Sequence, residues 1–126
     1  MTTRLKIYFD GGYRPGGDGM ETAVVVRGQA HIQPDLGEGT SMTAEWLALL
    51  QALRLVQTLG ETNVVLLGDA VAVIDRANGV LKARGACLPH LAAVRDLTAA
   101  LGSPTIRYVK RAQNLAGIAL SRRHPR

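Results

Sequence analysis

Cysteine and large aromatic residues are scarce in this sequence, which has one Cys, one Trp and one Phe among 126 residues. The lone Cys87 excludes an internal disulfide and a cysteine-rich zinc site, and it fits a reducing compartment. No run of eighteen apolar residues occurs, and no long apolar stretch follows the basic residues near the N-terminus. Without the pattern of a membrane helix or a secretory leader, we expect a cytoplasmic protein.

Acidic residues are also in the minority, at ten Asp and Glu against fifteen Lys and Arg, which gives a net charge of +5. No Asp or Glu follows Asp96, and the basic excess is concentrated late in the chain, at Arg107, Lys110, Arg111, Arg122, Arg123 and Arg126. A basic balance favours nucleic acid as the partner, with ordinary solvated surface charge as the alternative.

The composition is otherwise that of a folded protein, with 47% hydrophobic and 20% charged residues. A chain of this length has the size of one compact domain, so we expect a single domain over residues 1–126. Nothing in the sequence calls for an obligate protein partner, and we expect a monomer.

Short alternating or continuous apolar runs predict five strands. They cover Leu5–Asp10, Thr22–Val26, Ala30–Gln33, Asn63–Leu67 and Thr105–Val109. A glycine-rich turn from Gly11 to Gly19 would join the first two strands. Apolar residues at helical spacing predict a long helix over Thr43–Leu59, with Gly60 as its C-terminal stop. Further helices are expected over Ala70–Ala77, Pro89–Leu101 and Gln113–Arg122.

Three carboxylates occupy comparable places in this pattern: Asp10 ends the first strand, Glu45 lies in the first turn of the long helix, and Asp69 follows the buried fourth strand. Strand ends of an open α/β sheet are where sites form. The three side chains would converge there if the first and fourth strands are neighbours and the long helix packs across them. A cluster of oxygen ligands suits Mg²⁺ or Mn²⁺. A pair of such ions roughly 3.5–4 Å apart supports phosphodiester hydrolysis.

Each acid also has an ordinary structural interpretation. Asp10 could begin a turn, Glu45 could favour a helix N-terminus, and Asp69 could cap the next helix. Taken one at a time, these structural interpretations are favoured over the functional one.

The order and spacing of four segments resemble the motifs of type 1 ribonuclease H. The segments are Tyr8-Phe9-Asp10-Gly11-Gly12, Thr43-Ala44-Glu45-Trp46-Leu47-Ala48, Leu67-Gly68-Asp69-Ala70 and the passage from Val109 to Ser121. The resemblance covers nearly the whole chain. It implies the α/β ribonuclease H fold: a five-stranded mixed sheet, three antiparallel strands followed by two parallel ones, flanked by helices.

The resemblance also implies residue roles. Asp10, Glu45 and Asp69 would be the catalytic, metal-binding carboxylates, with Mg²⁺ or Mn²⁺ as cofactor. The substrate would be an RNA–DNA hybrid, recognised by shape, phosphates and 2′-hydroxyls, and cut in its RNA strand. Gly11 and Gly12 would let the hybrid backbone approach, and Lys110, Arg111 and Asn114 would also contact it.

The sequence departs from the family at one important position. The family carries a fourth carboxylate four residues after an asparagine of the terminal helix, and here Ile118 follows Asn114 at that spacing. We expect Ile118 to point at the metal cluster. The altered ligand set leaves open a second function, a nucleic-acid-binding module that has lost catalysis, and a third, an interaction domain indifferent to nucleic acid.

Four other residues carry weaker expectations. Lys82 and Arg84 are candidate phosphate contacts, with plain surface charge as the alternative. Trp46 is expected in the core, and His124 is expected to be a solvated tail residue and not a proton shuttle.

Overall fold

The computed structural model describes residues 4–17 and 19–124, which form one mixed β-sheet with helices on both faces. The strands are β1 (Leu5–Arg14), β2 (Gly19–Val26), β3 (Gln29–Gln33), β4 (Val64–Gly68) and β5 (Thr105–Tyr108). The helices are α1 (Ser41–Leu59), α2 (Val71–Ala77), α3 (Cys87–Ala100) and α4 (Leu115–Arg123), and a 3₁₀ turn covers Arg111–Gln113.

The sheet has the strand order β3-β2-β1-β4-β5. Strands β1, β2 and β3 pair antiparallel, whereas β4 pairs parallel to β1 and β5 parallel to β4. This arrangement confirms the fold class expected from the sequence. Parallel pairing of β1 with β4 matters most for function, because it brings the carboxyl ends of these two strands side by side.

Two apolar clusters hold helices to opposite faces of the sheet. The larger cluster joins α1, α2 and α3 to the face that carries Ile7, Phe9 and Leu66, and it contains Trp46 with no exposed surface. The smaller cluster packs Ala116 and Leu120 of α4 on Ala23 and Val25 of β2. Trp46 is therefore a core residue, as expected, and its ring stacks on His90 with 6.3 Å between centroids.

Strand β1 is longer than the sequence predicted. Residues Gly11–Arg14, expected in a turn, continue the strand because they pair with Gly19–Thr22 of β2. The turn shrinks to the residues between Arg14 and Gly19, of which Asp18 lies outside the described part. Asp10 consequently lies in the middle of a strand and not at its end. The sequence did not predict this extension, because glycine has a low strand propensity.

Strand β2 begins three residues earlier than predicted, and the remaining elements match the predicted ones to within two residues at each end. Helix α1 starts two residues earlier than predicted, because the hydroxyl of Thr40 accepts a hydrogen bond from the backbone N–H of Thr43 at 3.0 Å and caps the helix. In residues 4–17 and 19–124, no helix has the length and apolar character needed to cross a membrane.

Candidate active site

Asp10, Glu45 and Asp69 converge at the carboxyl edge of the β1–β4 pair. Tyr8 of β1 pairs with Leu67 of β4. Asp10 and Asp69 each follow two residues later, so they lie side by side. One carboxylate oxygen from each of the three residues lies within 4.8 Å of the others. The convergence expected from the sequence is confirmed, and all three side chains are only partly exposed.

The close packing of α1 on β1 places Glu45. The backbone N–H of Gly11 donates a hydrogen bond to Oε1 of Glu45 and ties the helix to the strand that carries Asp10. A Cβ on Gly11 would lie 2.2 Å from the carbonyl oxygen of Ala44, closer than any real contact. Gly11 therefore lets the first turn of α1 approach the strand. The space that a side chain on Gly11 would take is thus occupied by α1, while Gly11 also lines the cavity over the carboxylates, so its contact with the hybrid backbone stays a prediction.

Two of the crowded carboxylates, Asp10 and Glu45, have raised pKa values. Burial, and next the charge of Asp10, raise the pKa of Glu45 to about 9. Burial, and next the charge of Asp69, raise the pKa of Asp10 to about 6, although the nearby Arg111 acts in the opposite direction. Without a cation, this site carries less negative charge at neutral pH than three ionised carboxylates would.

Asn114 is fully buried beside the cluster. Its Nδ2 donates to the backbone oxygen of Phe9 at 3.1 Å and to Oδ2 of Asp69 at 3.2 Å. Its Oδ1 accepts from the backbone N–H of Ala116 at 3.1 Å and caps α4. With both ends of its amide engaged inside the protein, Asn114 has no exposed surface to offer a substrate. Its position is that of a residue that orients Asp69.

A cavity of about 820 Å³ opens over the three carboxylates. Ile118 lines it together with Asp10, as expected from its place in the terminal helix. Arg111 lines the same cavity and brings positive charge to its rim, whereas Lys110 is exposed outside it. The remaining wall is largely apolar and includes Met42, Ala70 and Val73.

A second cavity, of about 530 Å³, adjoins the first through Asp10, Gly117 and Ser121. Gly12 lines this second cavity, and a Cβ placed on Gly12 would have only ordinary contacts, the nearest 3.6 Å from Oε2 of Glu21. Gly12 thus faces the side of the sheet where α4 lies, away from the α1 contact made by Gly11.

Glu21 was not among the predicted site residues, and the prediction for His124 was wrong. The carboxylate of Glu21 is 3% exposed, and Nε2 of His124 lies 2.9 Å from both of its oxygens. His124 is 14% exposed in its side chain, so it is not a solvated tail residue. An acid inside the apolar stretch from Met20 to Val26 was the available signal, but the predicted strand began one residue after it.

Comparisons with known proteins agree with this geometry. Residues 22–124 match the model of a family described as "Reverse transcriptase-like". The structure is similar to ribonuclease H1 of the halophilic archaeon Halobacterium salinarum, with 26% sequence identity, a TM-score of 0.81 and 94% of each chain covered. None of the curated proteins matches the chain significantly in sequence.

Two further solved structures share the fold at lower identity. The N-terminal ribonuclease H domain of Rv2228c from Mycobacterium tuberculosis has 21% identity, a TM-score of 0.79, and coverage of 98% of this chain and 100% of that one. LC11 ribonuclease H1, which was isolated from compost by a metagenomic approach and solved in complex with an RNA/DNA hybrid, has 23% identity, a TM-score of 0.77 and 88% coverage of each chain.

Proposed function

The chain belongs to the reverse transcriptase-like family and has a type 1 ribonuclease H fold, and on that premise we propose that it is a metal-dependent endonuclease. Its proposed reaction is hydrolysis of the RNA strand of RNA–DNA hybrids. The observation that carries the proposal is the convergence of Asp10, Glu45 and Asp69 to within 4.8 Å between ligand oxygens.

The donor set fits Mg²⁺ or Mn²⁺. All the ligand atoms are carboxylate oxygens, which hard divalent cations prefer. Burial and mutual repulsion raise the pKa values of Asp10 and Glu45. A bound cation would relieve that repulsion, and it would have to displace the protons that these groups hold. Bound ions would supply Lewis-acid stabilisation of the phosphodiester and a more acidic water.

The chain's own residues then have distinct proposed roles. Asp10, Glu45 and Asp69 hold the metal, Asn114 keeps Asp69 in place through its hydrogen bond, and Arg111 attracts a phosphate to the cavity. Lys110 and Gly12 are proposed contacts of the hybrid backbone. The complex of the structurally similar LC11 enzyme with an RNA/DNA hybrid supports this substrate class. A monomer in the cytoplasm remains our expectation, and Cys87 is a free cysteine.

A second candidate function is binding of hybrid without cleavage. Ile118 favours it, because an apolar side chain lines the cavity where the family places a fourth carboxylate. With one ligand fewer, a metal position holds less negative charge and a bound ion is held less tightly. The two functions differ in product formation and not in affinity for hybrid.

Cleavage of a labelled RNA–DNA hybrid separates these functions. We expect wild-type protein with Mg²⁺ or Mn²⁺ to cut the RNA strand and to leave duplex DNA and duplex RNA intact. Asp10→Asn, which keeps the size of the side chain but removes its charge, should be inactive in both metals. Salt-sensitive binding of hybrid with no product in either metal would replace the nuclease with the binding module.

A further inference from the structure

Among residues 4–17 and 19–124, Glu21 is the only buried acidic residue. It lies on β2 directly opposite Gly12 of β1, and it faces the cavity that it shares with Asp10 and Gly117. Since Gly12 has no side chain, the carboxylate of Glu21 occupies the space beside it, with Oε2 3.6 Å from where a Cβ would be.

The partners of this buried carboxylate come from the end of α4. Nε2 of His124 lies 2.9 Å from both carboxylate oxygens, and Nε of Arg123 donates to Oε1 at 3.2 Å. A buried charge without partners is strongly unfavourable, so Glu21 stabilises only those arrangements in which the end of α4 lies over β2.

The apolar contact between α4 and the sheet is small. Of its nine residues, only Ala116 and Leu120 are buried. Asn114 anchors its first turn to Phe9 and Asp69, and the contacts of Glu21 anchor its last turn. The two anchors lie at opposite ends of a helix about 13 Å long, and both are polar.

Between these anchors, α4 touches the candidate metal site. A Cβ on Gly117 would lie 3.2 Å from Oδ2 of Asp10, so the helix backbone closes one side of that carboxylate. The next residue, Ile118, lines the cavity over the three carboxylates. Lifting the end of α4 would therefore uncover Asp10 on the side that faces Glu21.

We propose that Glu21 is a positioning residue for the metal site: by binding Arg123 and His124 it holds α4 against β1 and so fixes the carboxylate of Asp10. The inference rests on the proposed function, because it takes Asp10 to be a metal ligand. Among the described residues, the hydrogen bonds and ion pairs of Glu21 go to Arg123 and His124 and not to Asp10, Glu45 or Asp69. Because α4 has Ile118 where the family carries a carboxylate, what α4 contributes at Asp10 is the close packing of its backbone at Gly117, and Glu21 secures that packing.

The test is titration of full-length protein with Mn²⁺, followed by calorimetry and without substrate. Glu21→Gln keeps the size of the side chain and removes its charge, and we expect its Mn²⁺ affinity to fall about tenfold, the lower end of the usual effect of residues that support metal ligands. Hydrogen exchange of the Ile118 amide, which is bonded to the backbone oxygen of Asn114 at 3.1 Å, should become faster.

Two further variants separate positioning from general stability. Val56→Ala loses buried apolar contacts in α1 on the opposite face of the sheet, so it should lower stability without changing Mn²⁺ affinity. His124→Gln changes the other partner of the Glu21–His124 contact. It therefore tests the same positioning role if Glu21→Gln folds poorly. We expect it to weaken Mn²⁺ binding as well, and the double variant to be little worse than either single one.

The outcomes distinguish the inference from the function on which it rests. If the wild-type protein binds Mn²⁺ and both Glu21→Gln and His124→Gln bind it with the same affinity, the positioning role alone is overturned. A wild-type protein that binds no Mn²⁺ would overturn the proposed function, and the role of Glu21 toward Asp10 with it.

Discussion

Asn114 donates a hydrogen bond to Oδ2 of Asp69 at 3.2 Å, across 45 residues of sequence. The same Nδ2 donates to the backbone oxygen of Phe9, the residue before Asp10. One amide thus joins the two strands that carry candidate ligands to the start of α4. Asn114 was predicted to contact substrate, and the structure instead gives it a place behind the carboxylates.

Replacing Asn114 with alanine should damage both stability and metal binding. The change leaves the buried oxygen of Phe9 without a partner and removes the cap of α4, which together destabilise the protein by roughly 2–4 kcal/mol. Mn²⁺ affinity should also fall, since Asp69 loses the group that orients it. Urea unfolding and Mn²⁺ calorimetry measure the two effects.

Asn78→Ala is the matched control for this variant. Asn78 likewise donates a side-chain hydrogen bond to a strand carbonyl, that of Ile106 at 2.9 Å, but away from the carboxylates. It should lower stability and leave Mn²⁺ affinity unchanged. Equal losses of affinity in the two variants would show that Asn114 acts only through stability.

Glu45→Gln should stabilise the metal-free protein at alkaline pH. The folded pKa of Glu45 is about 9 against an ordinary value of 4.5, so the folded state binds the proton more tightly than the unfolded state does. Stability from this group is present below pH 4.5 and is lost as pH rises toward 9. Glutamine needs no proton, and we expect a gain of roughly 1–3 kcal/mol at pH 8.

Urea unfolding in the presence of a chelator, at pH 4 and pH 8, measures this difference. The gain should shrink at pH 4, where the unfolded carboxyl is also largely protonated. A gain that is the same at both pH values would assign the effect to packing and not to ionisation.

Metal binding should release protons. Glu45 and part of Asp10 are protonated near neutral pH in the metal-free site, because their pKa values are about 9 and about 6. A divalent cation displaces those protons, so apparent Mn²⁺ affinity should rise with pH through this range. Calorimetry in two buffers of different ionisation enthalpy counts the protons. Heats that do not depend on the buffer would contradict the prediction.

The sequence revealed the three carboxylates because each lies within or directly after a recognisable element, and these elements follow one another in a known order. Their convergence depended on the parallel pairing of β1 with β4, which the family resemblance supplied. The extension of β1 through Gly11 and Gly12 was hidden, since these glycines form a strand only through their partners on β2. The Glu21–His124 contact joins residues 103 positions apart, and no local pattern predicts such a pair.

Gly11 and Gly12 are adjacent, yet alanine should affect them very differently. A Cβ on Gly11 would lie 2.2 Å from the Ala44 oxygen, so Gly11→Ala must push α1 away from β1 and break the hydrogen bond to Glu45. We expect a loss of roughly 1–3 kcal/mol of stability together with weaker Mn²⁺ binding. Gly12→Ala makes ordinary contacts and serves as the control, with stability nearly unchanged. Similar unfolding curves for the two variants would contradict this view of the α1–β1 contact.

Ile118→Asp should raise the affinity of the site for divalent metal and lower the stability of the metal-free protein. A fourth carboxylate in the cavity that holds Asp10, Glu45 and Asp69 adds one more oxygen ligand and one more negative charge. Without a cation, that charge is repelled by the ionised carboxylates of the cluster and should lower the unfolding free energy at pH 8 by about 1 kcal/mol. With Mg²⁺, the loss of stability should reverse, because only the folded state binds the ion.

The control is Ile118→Asn, whose side chain has the size of aspartate and no charge. It should show neither the tighter binding nor the Mg²⁺-dependent recovery of stability. If the aspartate variant gains no Mg²⁺ affinity over the asparagine variant, Ile118 does not point at a metal position, and its presence is no reason to expect weakened catalysis in the wild type.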